Sequence, residues 1–273
     1  KKLSKGYKYK APKNIKPLSS CLGVALHGVD LTPTMNEDTI KTINNMLSKN
    51  LLVLLPDQQL SAKELRGVVR RFGELFIHHA DTGVIFADGI PEVLEMRKEP
   101  KDTKLFGGAN WHSDITFRKP AGHLSFLYAK IVPPVGGDTN FANTIAAFNS
   151  LSNGLKKFLR DLYAVHNYDG AGKPDHAQEV AIHPVVKRHP ETGCEGLFIN
   201  PMFTSRFDGM TIEESAPILE YLYQIITQPE FICRVRWFPG QLIIWDNRFT
   251  LHYPINDFIN TRRVLLRCST IEN

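Results

Sequence analysis

The string Asn110-Trp111-His112-Ser113-Asp114 places an imidazole and a carboxylate two residues apart. On a strand, residues two apart point to one face, so a ring nitrogen and a carboxylate oxygen can meet a single cation. Two ligands do not hold a metal well, and a third is needed. Of the ten histidines, His252 stands out: it follows Trp245-Asp246-Asn247-Arg248, just beyond an expected strand. Two histidines and one carboxylate on one face, with the remaining positions open, is the arrangement that suits non-haem Fe(II). The pattern alone is common and more often marks a strand-edge histidine hydrogen-bonded to an aspartate.

A second group lies near the end of the chain. Arg263 and Arg267 are four residues apart and share a strand face, with Leu265 between them. Val264 and Leu266 face the other way. If the arginine face is inward, two guanidinium groups need internal carboxylates or an anionic ligand. The planar fork of donors suits a carboxylate or a sulfonate. The alternative is a solvated face at a barrel mouth.

These residues need a scaffold, and the hydrophobic pattern supplies one. Strands are expected at 22–31, 51–55, 93–97, 123–132, 139–142, 181–187, 196–200, 231–237, 241–246 and 262–269. Helices are expected at 36–47, from Ser61 to about Phe72, at 145–151, at 153–163 and from Ile212 to about Ile226. Ser61 with Glu64 and Thr211 with Glu214 form capping-box patterns. Pro239-Gly240 favours a hairpin turn between two late strands. Gly136-Gly137 shapes a turn and lacks the spacing of a phosphate loop. The stretch 80–109 has little periodicity and reads either as a lid or as an ordinary variable loop. No strand–helix alternation of the doubly wound kind is visible. The expected fold is mainly β with flanking helices, a barrel or sandwich core braced from outside.

The chain has 273 residues, 42% of them hydrophobic and 22% charged, enough for a core without metal or disulfide staples. The net charge is +5, and five lysines fall within the first ten residues. They read as a solvated basic arm over 1–18, ahead of a single domain over 19–273. No dense basic stripe is present to hold a phosphate backbone, so no nucleic-acid partner is expected. The four cysteines form no CxxC pair and read as reduced thiols. No leader or apolar run of transmembrane length is visible. A cytoplasmic protein without a membrane partner is expected.

The ordered set of motifs resembles the taurine dioxygenase-like family of Fe(II)- and 2-oxoglutarate-dependent oxygenases, from about Ser19 to Ile271. It comprises Arg71-Phe72-Gly73-Glu74-Leu75, residues 110–117, Gly136-Gly137-Asp138-Thr139, Leu197-Phe198-Ile199-Asn200-Pro201, Trp245-Asp246-Asn247-Arg248, His252-Tyr253 and Arg262-Arg263. The resemblance implies a double-stranded β-helix, or jelly roll. It implies His112, Asp114 and His252 as iron ligands, Arg263 and Thr139 on the distal carboxylate of 2-oxoglutarate, and O2 as the other cosubstrate. His78 and Arg267 match residues that bind a substrate sulfonate. Phe203 lies in the matching region without an assigned role. The implied reaction hydroxylates a small anionic organic substrate and releases succinate and carbon dioxide, and homo-oligomers are usual for the family. Asp81 and Gly108 depart from the taurine-binding pattern, so a sulfonate comes first and an alkyl sulfate or a carboxylate stays open. A catalytically inactive binding protein on the same fold is the remaining alternative.

Overall fold

The computed structural model describes residues 14–78, 84–103, 110–168 and 179–272. Most of the lysine-rich arm lies outside them, as do Asp81 and Gly108. In chain order the elements are β1 (Ile15–Pro17), β2 (Val24–Leu26), α1 (Glu37–Asn50), β3 (Leu52–Leu55), α2 (Ala62–Val69), β4 (Leu94–Lys98) and β5 (Gly122–Ile131). There follow β6 (Thr139–Asn143), α3 (Thr144–Ser150), α4 (Asn153–Arg160), β7 (Tyr163–Asn167), β8 (Val180–Pro184), β9 (Val186–Arg188), β10 (Glu195–Leu197) and β11 (Thr204–Phe207). The last part holds α5 (Ile212–Ile226), β12 (Ile232–Val235), β13 (Leu242–Asp246), β14 (Thr250–Pro254) and β15 (Arg263–Ile271).

Local chemistry explains where the helices begin. Asn36 accepts the Thr39 N–H at the start of α1, and complete capping boxes, Ser61 with Glu64 and Thr211 with Glu214, open α2 and α5. The main sheet has the order β1-β2-β3-β13-β5-β15-β4, antiparallel except where β2 meets β3. Its inner strands β2, β3 and β13 are buried on both faces. Leu242 and Ile244 of β13 pack with Ile43 and Leu47 of α1 and with Leu65 and Val68 of α2. Ile243 and Trp245, pointing the other way, pack with Phe141, Cys233 and Val235. Those three belong to the small sheet β12-β6-β14, which lies across the main sheet from the helices. A third cluster joins α3, α4 and α5 to β10 and to the sheet β11-β7-β8. No helix among the described residues is long and apolar enough to cross a membrane.

The expected jelly roll is not what forms. The described strands make four open sheets of seven, three, three and two strands, in a mixed α/β fold, and none closes on itself. The physical reason is that β12, β6 and β14 form strand ladders with one another and none with the main sheet, so the small sheet faces the large one without continuing it. The expected hairpin at Pro239-Gly240 is likewise a crossover between sheets. β12 pairs with β6, whereas β13 pairs with β3 and β5. Gly240 has φ +82° there, and its N–H bonds the Ala129 carbonyl at 2.9 Å. The strand expected at 93–97, inside the stretch read as lid or loop, forms as β4 and pairs with β15 at the sheet edge.

One anchor beside the metal motif has a pH consequence. His183 is buried, and its Nε2 lies 2.9 Å from the Thr116 carbonyl and 3.1 Å from that of Arg118, so it donates to both. Burial pushes its pKa down to about 4, helped by nearby Lys187. Burial, with His183 and Lys187, pushes that of His166 down to about 3. The unfolded chain therefore binds more protons than the folded one below pH ~6.5. The stability held by these neutral rings is complete above that pH and is lost as pH falls towards 4. Urea unfolding should show a lower midpoint at pH 5 than at pH 7. His183→Gln, which keeps an amide donor but does not titrate, should lose less between the two pH values than wild type.

Candidate metal centre and active site

His112 and His252 meet through an isolated antiparallel bridge. The His112 N–H bonds the His252 carbonyl at 3.0 Å, and the reverse bond is 2.7 Å. This brings the ring centroids to 4.0 Å. Only His112 of the HxD pair is strand-like, contrary to the reading of both residues on one strand. Asp114 lies in a turn, and Ile115 after it takes φ +58°. The turn swings the carboxylate towards the imidazoles. It packs so closely that a side chain at Gly122 would have its Cβ 2.5 Å from the Asp114 carbonyl oxygen.

The donor set fits a divalent cation. Asp114 Oδ1 is 3.8 Å from His112 Nε2 and 4.0 Å from His252 Nε2. All three ligand atoms lie within 4.8 Å of one another, a spacing that metal–ligand bonds of about 2 Å can bracket. His112 Nδ1 faces the Asn110 carbonyl at 2.9 Å, which places the ring hydrogen there and leaves the Nε2 lone pair for the ion. Burial lowers the pKa of both histidines, and the neighbouring His112 further lowers that of His252, which favours the neutral rings that a metal ion requires. Burial pushes the Asp114 carboxyl up, but Arg267, His252, His112 and the Ser125 hydroxyl outweigh it and hold the group ionised.

Asp114 is fixed from several sides. Its Oδ2 accepts from Ser125 Oγ at 2.6 Å, and Oδ1 forms an ion pair with an Arg267 guanidinium nitrogen 3.0 Å away. Its backbone N–H donates to Asn247 Oδ1 at 3.0 Å. The same Asn247 oxygen accepts from the Trp245 indole at 2.9 Å, while its amide donates to Ser125 Oγ at 2.8 Å. Asn247 is thus a support for the ligand.

A cavity adjoins this centre, with His252, Thr139, Trp245, Arg263, Arg267 and Met96 in its wall. Both arginines and Leu265 of β15 face it, while Leu266 packs against the helices. The solvated alternative for this strand face is therefore excluded. Arg263 is fully buried; it donates to the Gly137 carbonyl at 2.7 Å and lies over the Phe258 ring. Burial pulls its pKa down to about 10 against the pull of Asp138 and Asp257. His78 is not among the wall residues. It follows a segment whose Leu75 pairs with Thr270, and its ring stands edge-on to Phe76 at 4.7 Å. Phe203, unassigned from sequence, comes within 6.1 Å of the His112 ring and packs on Phe117. Ser125 and Met96 were also missed, because a serine or methionine within a strand carries no motif.

Asn247→Ala would leave the Asp114 N–H, the Trp245 indole and the Ser125 hydroxyl short of a partner. Loss of such support typically weakens metal binding ~10–100-fold. Titration of the protein with Mn(II) should show a loss in that range. Unchanged Mn(II) affinity would mean that Asn247 does not orient the ligand.

The comparisons with known proteins agree with this geometry. The family model described as "Taurine catabolism dioxygenase TauD, TfdA family" matches residues 14–269. The chain is 31% identical over 272 residues to an alkylsulfatase of Acinetobacter baylyi, covering 93% of this chain and 83% of that one. It is 29% identical over 282 residues to an alpha-ketoglutarate-dependent 2,4-dichlorophenoxyacetate dioxygenase of Cupriavidus pinatubonensis, covering 94% and 97%. A crystal structure of a taurine dioxygenase from Burkholderia xenovorans superposes with a TM-score of 0.83 at 33% identity, covering 95% of this chain and 89% of the other. With a buried His-Asp-His donor set beside a cavity bearing two arginines, the chain belongs to the TauD, TfdA family of Fe(II)- and 2-oxoglutarate-dependent dioxygenases.

Proposed function

We propose that this enzyme hydroxylates a small organic acid, held by its anionic group at Arg267, while Arg263 and Thr139 hold the distal carboxylate of 2-oxoglutarate. The observation that carries the reading is the single cavity into which Arg263, Arg267, Thr139 and the ligand His252 all project. When bound, the iron supplies the oxygen chemistry that couples conversion of 2-oxoglutarate and O2 to succinate and carbon dioxide with hydroxylation of a C–H bond. The chain's own residues bind and orient. His112, Asp114 and His252 hold the ion from one side and leave the other for cosubstrates. Arg263 is buried and rigidly packed, which suits a fixed carboxylate fork. Arg267 is ion-paired with Asp114, so an anion meeting its remaining donors would lie beside the metal that Asp114 holds. His78 is a possible second donor to that anion from the segment alongside β15, and the ring of Phe203 forms an apolar flank by His112.

A sulfonate is the first substrate choice, because the two residues aligned with sulfonate binding, His78 and Arg267, are both present. A sulfate ester or an aryloxy carboxylate is the second reading. It is favoured by relatives named as an alkylsulfatase, a sulfate ester dioxygenase and a 2,4-dichlorophenoxyacetate dioxygenase.

Two measurements test the reading. Arg263→Lys keeps the charge and loses the fork, and should weaken 2-oxoglutarate binding to the anaerobic Fe(II) protein by ~1–3 kcal/mol; unchanged affinity rejects the clamp. Coupled turnover of matched sulfonate, sulfate, carboxylate and neutral compounds, read as succinate with hydroxylated product, should favour an anion. Arg267→Ala should lose most of that preference. A neutral compound used equally well by both proteins would sink the assignment.

A further inference from the structure

Resting on the reading that Thr139 meets the cosubstrate carboxylate, we propose that Trp237 is a positioning residue that aims the Thr139 hydroxyl at it. Trp237 follows β12 and is 3% exposed, and Thr139 opens β6 and is 2% exposed. The indole Nε1 lies 2.9 Å from Thr139 Oγ1. An indole N–H only donates, so the hydroxyl must accept. A hydroxyl has one hydrogen to give and two lone pairs. With one lone pair turned to the indole, the hydrogen is directed away from Trp237.

The surroundings decide where it goes. The Thr139 backbone is paired on both sides, with Val235 of β12 and Pro254 of β14. Its branched side chain is stiff about the first torsion. Thr139 is in the cavity wall together with Arg263 and Arg267, and no Asp or Glu is among the wall residues. The wall thus presents cationic and neutral donors to an anion that must come from outside the chain. Trp237 is not itself in the wall and acts only through Thr139. Without the indole, the hydroxyl is free to turn its hydrogen away from the ligand. The indole bond thereby reduces the ordering that binding requires, which is how preorganisation raises affinity.

The test uses the Mn(II)-loaded full chain and calorimetric titration with 2-oxoglutarate. Wild type, Trp237→Phe, Thr139→Val and the double variant are compared, with thermal midpoints measured alongside. Trp237→Phe keeps an aromatic ring and removes the N–H. It should weaken 2-oxoglutarate ~3–10-fold, the scale of one net hydrogen bond. With the Fe(II) enzyme, its KM for 2-oxoglutarate should rise by a similar factor while kcat at saturation stays near wild type. The double variant should bind no more weakly than Thr139→Val alone, because the indole has nothing left to position. Wild-type affinity in Trp237→Phe, even with a lowered thermal midpoint, overturns the inference while leaving Thr139 in place. Losses that multiply in the double variant also overturn it. Wild-type affinity in Thr139→Val shows instead that the Thr139 assignment has failed, and the inference falls with it.

Discussion

A carboxylate with 2% exposure sits at the middle of this protein, and much of the architecture follows from keeping Asp114 charged there. An isolated buried charge is strongly disfavoured, so it must be compensated by opposite charge and hydrogen bonds. Arg267 supplies the charge, Ser125 and the neighbouring imidazoles supply further stabilisation, and Asn247 fixes the backbone. These partners come from β5, β14, β15 and the turn after β13. The centre therefore exists only once the main sheet and the small sheet are stacked, and the metal ligands depend on long-range folding rather than on their local motif.

The final strand links several of these demands. The inward side chains of β15 include Arg263, Leu265 and Arg267, while Ser269 further along is 3.0 Å from the Ser125 hydroxyl that supports Asp114. The opposite face carries Leu266 and Cys268 into the packing against α1 and α2. Such a strand cannot slip by one residue without exchanging its arginines for core leucines. The pattern of its two faces thus fixes the register of the site as well as that of the sheet.

Much of this was legible in the sequence for identifiable reasons. Ser61 with Glu64 and Thr211 with Glu214 announce helix starts because their signals are local. The apolar runs of β3, β5 and β13 announce buried strands. The ligand set and the arginine face were legible through the ordered motifs. What failed depended on partners distant in the chain. Tyr163 was read as the end of a helix, yet α4 stops at Arg160 and Tyr163 begins β7, whose pairing with β8 and β11 overrides local propensity. Pro239-Gly240 has good turn chemistry, but turn chemistry does not say whether the flanking strands join one sheet or two. Closure of the sheets was expected from family likeness, and no short-range pattern specifies whether two edges meet. The same-face argument for His112 and Asp114 reached the right pair by the wrong local geometry, since the turn at Ile115 does the work assigned to a strand.

The edge position of β4 has a consequence for how the pocket can change. Met96 enters the cavity wall from the last strand of the main sheet, paired along its length with β15 and, among the described residues, bridged on its other side only at its start, where Phe86 meets Leu94 and the Glu95 N–H bonds the Ile85 carbonyl. Arg263 and Trp245 enter from strands locked between neighbours on both sides or packed in the core. A change of side-chain volume at residue 96 can be absorbed by a small outward shift of the edge, whereas the same change in β13 would push into both layers. Methionine itself is unbranched and fills irregular space readily. The protein thereby separates a plastic margin from a fixed interior, and laboratory evolution towards bulkier acids has its least costly starting point at that margin.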